Sequence, residues 1–216
     1  MSVFSENNNR NLLMKQKYLQ ATEIIDWQHS DILSLAAKLS ADKNDTEAIA
    51  KNCFEWVRDN IYHSSDYHLN PITCKASEVL KYKTGYCYAK SHLLAALLRA
   101  NSIPAGLCYQ RLSVFDNGAP YCLHGLNAVY LPKHNWYRLD PRGNKPGVNT
   151  RFTPPQENLA FKINFPEEID CKYIFSEPLP EVVKTLQTYK TWDEVLSNLP
   201  DLKRASLIKL EAASNF

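Results

Sequence analysis

The chain has 216 residues and a near-balanced charge, 25 Lys+Arg against 23 Asp+Glu, with 44% hydrophobic and 22% charged residues. These are globular proportions, and a net charge of +2 gives no basic field for a polyanion, so nucleic acid is set aside as a partner. Residues 1–10 lack the apolar core of a secretory signal, and no stretch approaches the ~20 apolar residues that span a bilayer, so the expectation is a soluble, cytoplasmic protein without a membrane partner.

Residues 1–11 are polar and asparagine-rich, as frayed ends are. The stripe Ile32, Leu33, Leu35, Ala36 and Leu39 predicts a helix over 30–39, with Ser30 placed to cap it. Ala50, Cys53, Phe54, Val57 and Ile61 predict a second helix over 46–61, with Arg58-Asp59 at its solvated end. Residues 62–73, rich in His, Ser, Asp and Asn and closed by Asn70-Pro71, read as a loop. A short helix over 75–80 leads to Gly85. The next helix, 88–101, turns Leu93, Leu94, Leu97 and Leu98 toward a core and must end near Ser102, because Pro104 disfavours helical geometry before it.

The pattern then becomes β-like, with strands at 106–115, 121–131 and 136–140. Asp116-Asn117-Gly118 is a turn, and Pro132-Lys133-His134-Asn135 joins the last two strands. Residues 141–155, rich in Gly, Pro and Asn, are expected to wrap the surface, and helices are expected near 181–189 and 192–199. Helices, then a meander, then helices make an α+β fold. The organisation expected is a single domain: a polar segment 1–20, a catalytic core 21–160 and a helical extension 161–216.

The residues with chemistry begin at Cys87. Thr84-Gly85-Tyr86 is a turn, and an apolar-periodic helix starts at the cysteine, where unpaired backbone N–H groups favour the reactive thiolate. A cysteine nucleophile needs a base, and histidine suits that role near neutral pH. A carboxylate on the far ring nitrogen fixes the tautomer and supports the imidazolium. The chain offers Cys87, His124 and Asp140 in that order. If 132–134 is a three-residue loop, Leu131 pairs with Asn135 and Leu126 with Asp140, and His124 lies diagonal to Asp140 on one sheet face. An even-numbered loop would put them on opposite faces.

Other residues weigh less. Cys53, Cys74, Cys108, Cys122 and Cys171 lack the helix-start context and read as structural free thiols; no Cys-x-x-Cys is present. Cys122 and His124 share a face as half of a metal site would, but no matching second pair is visible, so neither zinc nor calcium nor any cofactor is expected. His92 should point away from Cys87; His63 and His68 are placed to line the cleft but, surface histidines being commoner, read as surface residues of the loop and are left out of the site. Trp56, Tyr62 and Tyr86 are aromatic candidates for a substrate groove but read first as core or rim packing, and Asp140-Pro141 can by itself begin a turn. The backbone N–H of Cys87 is a natural oxyanion donor, with no second donor named.

Ala76-Ser77-Glu78-Val79-Leu80, Gly85-Tyr86-Cys87-Tyr88-Ala89-Lys90-Ser91 and Leu94-Ala95-Ala96-Leu97-Leu98-Arg99-Ala100 with Ile103-Pro104-Ala105 resemble the core of bacterial transglutaminase-like proteins. His124-Gly125, Ala128-Val129-Tyr130-Leu131 and Trp136-Tyr137-Arg138-Leu139-Asp140 resemble that family's histidine and aspartate strands. The resemblance covers about residues 55–145. It implies a papain-like fold with the nucleophile's helix packed on an antiparallel sheet, and roles of nucleophile for Cys87, general base and acid for His124 and orienter for Asp140. It departs at Asp140-Pro141-Arg142-Gly143-Asn144, where many relatives have Asp-Pro-Thr. The implied function is cysteine-dependent acyl transfer on an amide of a protein or peptide, as peptidase, amidase or cross-linking transferase, with hydrolysis ahead; the alternative is an inactive binding module of the same fold.

Overall fold

The computed structural model describes residues 15–213; the frayed end expected at 1–11 lies outside them. The first elements with full bounds are α1 (Ser30–Ser40) and α2 (Thr46–Asn60). Ser30 is the first helical residue rather than the cap: His29 caps α1, its Nδ1 accepting from Asp31 N at 3.3 Å. Residues 62–73 are not all loop. They hold the two-residue strand β1 (Tyr62–His63) and the one-turn helix α3 (Ser64–Tyr67), elements too short for any periodicity to reveal. After α4 (Ala76–Tyr82), β2 (Thr84–Gly85) pairs in parallel with β1, setting His63 opposite Gly85.

The central helix α5 (Cys87–Ala100) is buried from Cys87 to Arg99 because β3 and β4 lie on one side and α1, α2 and α4 on the other. A helix buried all round must satisfy its polar side chains internally. Lys90 donates to the carbonyls of Arg58 and Ile61 at the end of α2, His92 Nδ1 meets Cys74 O at 2.8 Å, and Arg99 donates to Gln20 O, Ala105 O and Ser176 O. Burial presses His92 down to about 4, so it donates to Cys74 as a neutral ring. The helix stops where expected, with Ser102 in the left-handed region at φ 59°.

The meander is β3 (Ala105–Ser113), β4 (Tyr121–Leu131) and β5 (Asn135–Leu139). A further strand, β6 (Ile169–Asp170), completes an antiparallel sheet of order β5-β4-β3-β6. With only two residues, β6 has no alternation to announce it. The C-terminal helices are α6 (Pro180–Thr188), α7 (Trp192–Ser197) and α8 (Arg204–Ala213). The sequence pattern marked the first two; α8 buries Leu207 and otherwise shows little apolar face. Leu179, Val182, Leu186, Val195 and Leu207 join the same core as α5. A buried central helix, an antiparallel sheet and flanking helices make the fold α+β and papain-like. Among the described residues no helix is long and apolar enough to cross a membrane.

Candidate active site

Cys87 is the first residue of α5 because the chain turns sharply out of β2. At Gly85 a Cβ would sit 3.0 Å from Ala89 Cβ and 3.2 Å from Thr73 Oγ1, so only glycine lets the strand fold directly into the helix. Tyr88 fixes the next contact: its hydroxyl donates to Leu123 O on β4. There β4 runs so close to α5 that a Cβ at Gly125 would lie 3.1 Å from Tyr88 Cα and 3.3 Å from its N. That approach points Gly125 N–H at the Cys87 sulfur, 3.5 Å away. Asn127, fully buried further along β4, donates to Ser91 O at 2.9 Å and Gly106 O at 3.2 Å, tying helix and sheet together.

The connection after β4 is the three-residue loop 132–134, with Leu131 opposite Asn135 and Asn127 opposite Leu139. This odd count brings His124 and Asp140 to one face, and His124 Nε2 meets Asp140 Oδ2 at 2.7 Å. Nε2 is thereby committed to Asp140, and the Cys87 thiol lies close enough to act on the ring's charge. Burial penalises the imidazolium, but the charge of Asp140, then that of Cys87, and the hydrogen bond to Asp140 outweigh it and raise His124 to about 10. Burial likewise works against the Asp140 carboxylate, but His124 and backbone N–H donors hold it below the ordinary range.

Those donors are Arg142 N, 3.1 Å from Oδ1, and Ala160 N, 3.1 Å from Oδ2. The first makes Asp140 the head of a turn as well as the partner of His124, so the two readings of Asp140-Pro141 hold together, and the turn signal could have located Arg142. The second comes from a segment twenty residues on, for which the sequence carries no signal. The same segment sets Phe161 edge-on to His124 with ring centroids 4.9 Å apart, shielding the pair from water.

Cys87, His124 and Phe161 open on a cleft of about 660 Å³ with apolar walls from Leu112, Val114 and Val148. His63 is not a surface histidine: it is buried, lines this cleft and packs edge-on to Tyr86 at 5.4 Å. Burial, then the charge of Arg142, holds it well below the ordinary histidine value, so its ring is neutral. His68 is exposed and stacks on Trp192 at 4.1 Å. Tyr86 is buried in the wall and donates to Trp192 O, while Tyr62 is half exposed. Arg58 is not at a solvated end, since it donates to Thr150 O at 3.1 Å and its side chain is only 14% exposed.

The remaining five cysteines are free thiols. Burial pushes Cys53, Cys74, Cys108 and Cys122 up to about 12 and Cys171 to about 11. Among the described residues no group of His, Cys, Asp and Glu is arranged to hold a metal ion. The arrangement at Cys87 brings a thiol at a helix start, a histidine able to take and return its proton, and a carboxylate fixing that histidine to the edge of an apolar cleft.

No curated protein matches the chain. Among solved structures it is similar to a candidate cysteine protease from Cytophaga hutchinsonii, with 20% identity and a TM-score of 0.48 over 58% of this chain and 40% of that one. It is also similar to the periplasmic domain of TgpA from Pseudomonas aeruginosa, with 20% identity and a TM-score of 0.44 over 59% of this chain and 46% of that one. The chain thus spans less than half the length of either. The family model of the transglutaminase-like superfamily matches residues 33–141, just over half of the 216, and this segment carries all three residues that meet at the head of α5: the chain belongs to the transglutaminase-like superfamily.

Proposed function

We propose that the protein is a cysteine-dependent acyl-transfer enzyme that acts on an amide, with Cys87 as nucleophile, His124 as general base and acid, and Asp140 as orienter. The observation that carries this reading is the buried 2.7 Å contact of His124 with Asp140 in the cleft that Cys87 also lines at the head of α5. His124 takes the thiol proton, and the start of α5 and the resulting imidazolium favour the thiolate. The sulfur attacks the amide carbonyl, and backbone N–H groups at the head of α5 are in place to stabilise the oxyanion. As the C–N bond breaks, His124 returns the proton to the departing amine and a thioester remains. Water or a second amine then attacks the thioester, His124 takes the incoming proton, and Cys87 leaves as the thiol. Water yields hydrolysis, an amine yields transamidation, and neither path calls for a cofactor. A protein or peptide is the substrate this chemistry suits, and the cytoplasm is its proposed compartment.

The test is alkylation by iodoacetamide across pH, with each site assigned by mass spectrometry. Cys87 should label faster near pH 6 than the other five cysteines, and His124→Ala should remove that advantage by destabilising the thiolate. Equal labelling of all six thiols at that pH would sink the catalytic reading. Competition between water and an added amine for the acyl-enzyme then separates hydrolase from transferase.

A further inference from the structure

Three residues of the cleft wall, His63, Arg142 and Lys145, also line a second cavity of about 350 Å³. Its charges do not balance. Arg58, Lys90, Arg142 and Lys145 face it against Asp59 and Asp66. Arg58 pairs with Asp59 at 2.7 Å. Asp66 receives both Arg142, in a fork of 2.7 and 3.0 Å, and Lys145 at 2.6 Å. Lys90 is fully buried, and its described hydrogen bonds go only to the carbonyls of Arg58 and Ile61. Asp66 thus meets two cations at once and Lys90 has no carboxylate among its described hydrogen-bond partners, so basic groups are in excess in a concave space, where a low local dielectric strengthens their pull on an anion. At the edge, Tyr62 and Tyr67 are 50% and 57% exposed and lie ring to ring at 4.9 Å.

The plain structural account covers only part of this. Lys90 closes the carbonyl end of α2, which explains why a cation sits there. It does not explain why Arg142 and Lys145 converge on one carboxylate beside it, or why the space between them is open. We propose that this cavity is a subsite for a carboxylate carried by the substrate, adjoining the amide that Cys87 attacks. The proposal rests on the acyl-transfer reading above and narrows its substrate class to an amide with an apolar group toward Leu112, Val114 and Val148 and a carboxylate toward Lys90, Arg142 and Lys145. Burial, then the field of Arg142, presses Lys90 down to about 7, and a bound carboxylate would restore its proton.

The experiment uses two peptidyl vinyl sulfones that differ only in a terminal carboxylate or carboxamide, with the rate of Cys87 modification as the readout. In the unaltered protein the carboxylate probe should react about tenfold faster than its twin, the worth of one partly screened charge contact. That ratio should fall toward one in Lys145→Ala, an exposed position that the fold tolerates, and in Lys90→Met. Equal rates with the two probes would overturn the proposal. So would a preference that survives both variants, since the His124 imidazolium alone would then be its source. If neither probe modifies Cys87 ahead of the other cysteines, the acyl-transfer reading falls, and titration with glutarate decides the cavity on its own. Amide chemical-shift changes at Tyr62 and Tyr67 that vanish in Lys145→Ala would keep a carboxylate site there, and their absence would remove it.

Discussion

Asp140 makes three hydrogen bonds from a position with no solvent exposure: to the His124 ring, to Arg142 N and to Ala160 N. An asparagine there would keep the shape but lose the charge that raises His124. On the acyl-transfer reading, Asp140→Asn should lower kcat by roughly 10⁴-fold, the scale seen when a buried triad carboxylate becomes an amide. It should also move the alkaline limb of the pH–rate profile well below 10, since that limb reports loss of the His124 proton. An unmoved limb would remove Asp140 from the role of orienter. The same charge acts on stability. His124 is raised in the folded state, so its imidazolium stabilises the fold fully below its ordinary value near 6.5, and this contribution is lost as pH rises through about 10. Lys90, pressed down to about 7, acts with the opposite sign toward alkaline pH, because its buried cation is relieved as it deprotonates. Urea unfolding of the two proteins side by side tests this: between pH 7 and pH 10 the parent protein should lose more stability than Asp140→Asn, which lacks the raised His124 and in which the loss of the Asp140 charge lowers Lys90 further, adding to the opposite, stabilising trend.

At the scale of elements, the site depends on how closely β4 approaches the head of α5. Gly125→Ala would place a methyl 3.0 to 3.3 Å from Tyr88, two of those contacts with backbone, so the strand must move rather than a flexible side chain. Overpacking of this kind costs about 1–3 kcal/mol. The expected result is a lower urea midpoint together with slower alkylation of Cys87, because Gly125 N–H moves away from the sulfur and His124 moves with it. A variant that lost neither would show that the close approach is incidental. This register is where the sequence spoke most clearly. Strand 121–131 and the loop 132–134 follow from alternation and turn residues, and parity alone then places His124 and Asp140 on one face. The helix start at Cys87 was legible for a similar reason, since glycine, cysteine and an apolar period lie within a few residues of one another. The strands β1, β2 and β6 were not legible, because two residues have no period. His63 was raised as a cleft-lining candidate but set aside as a surface histidine, because what fixes it there is pairing with Gly85 across twenty-two positions, a contact no local pattern encodes. Ala160 and Phe161 were hidden for the same reason.

At the scale of the molecule, the segment that the family model matches ends at residue 141, yet the site does not. Ala160 N completes the shell of Asp140, Phe161 covers His124, and Leu196 and Leu199 line the cleft. The C-terminal segment also continues the ladder where β5 stops: Leu123 N donates to Pro200 O at 2.7 Å, and Arg111 holds Asp201 in a fork of 2.7 and 2.8 Å. Leu179, Val182, Leu186, Val195 and Leu207 are all buried in the core that surrounds α5. Burying one such aliphatic side chain contributes about 1.5–3 kcal/mol, whereas a whole domain is stable by about 5–15 kcal/mol. Removing five of them would cancel most or all of that margin even after allowance for the entropy regained by the freed segment. A chain ending at residue 178 should therefore lose its cooperative thermal transition and expose Cys53, Cys74 and Cys108 to alkylation at rates close to that of Cys87. A milder change isolates the cleft from the core. Asp201→Asn weakens the partly exposed clasp on Arg111 by about 1 kcal/mol and should leave the thermal transition cooperative. If the chain ending at 178 melts cooperatively and still labels selectively at Cys87, the matched segment with its immediate flank is the folding unit. If it does not, the C-terminal helices are part of the same cooperative core that holds α5 in place, and Cys87 owes its position to them as well as to β4.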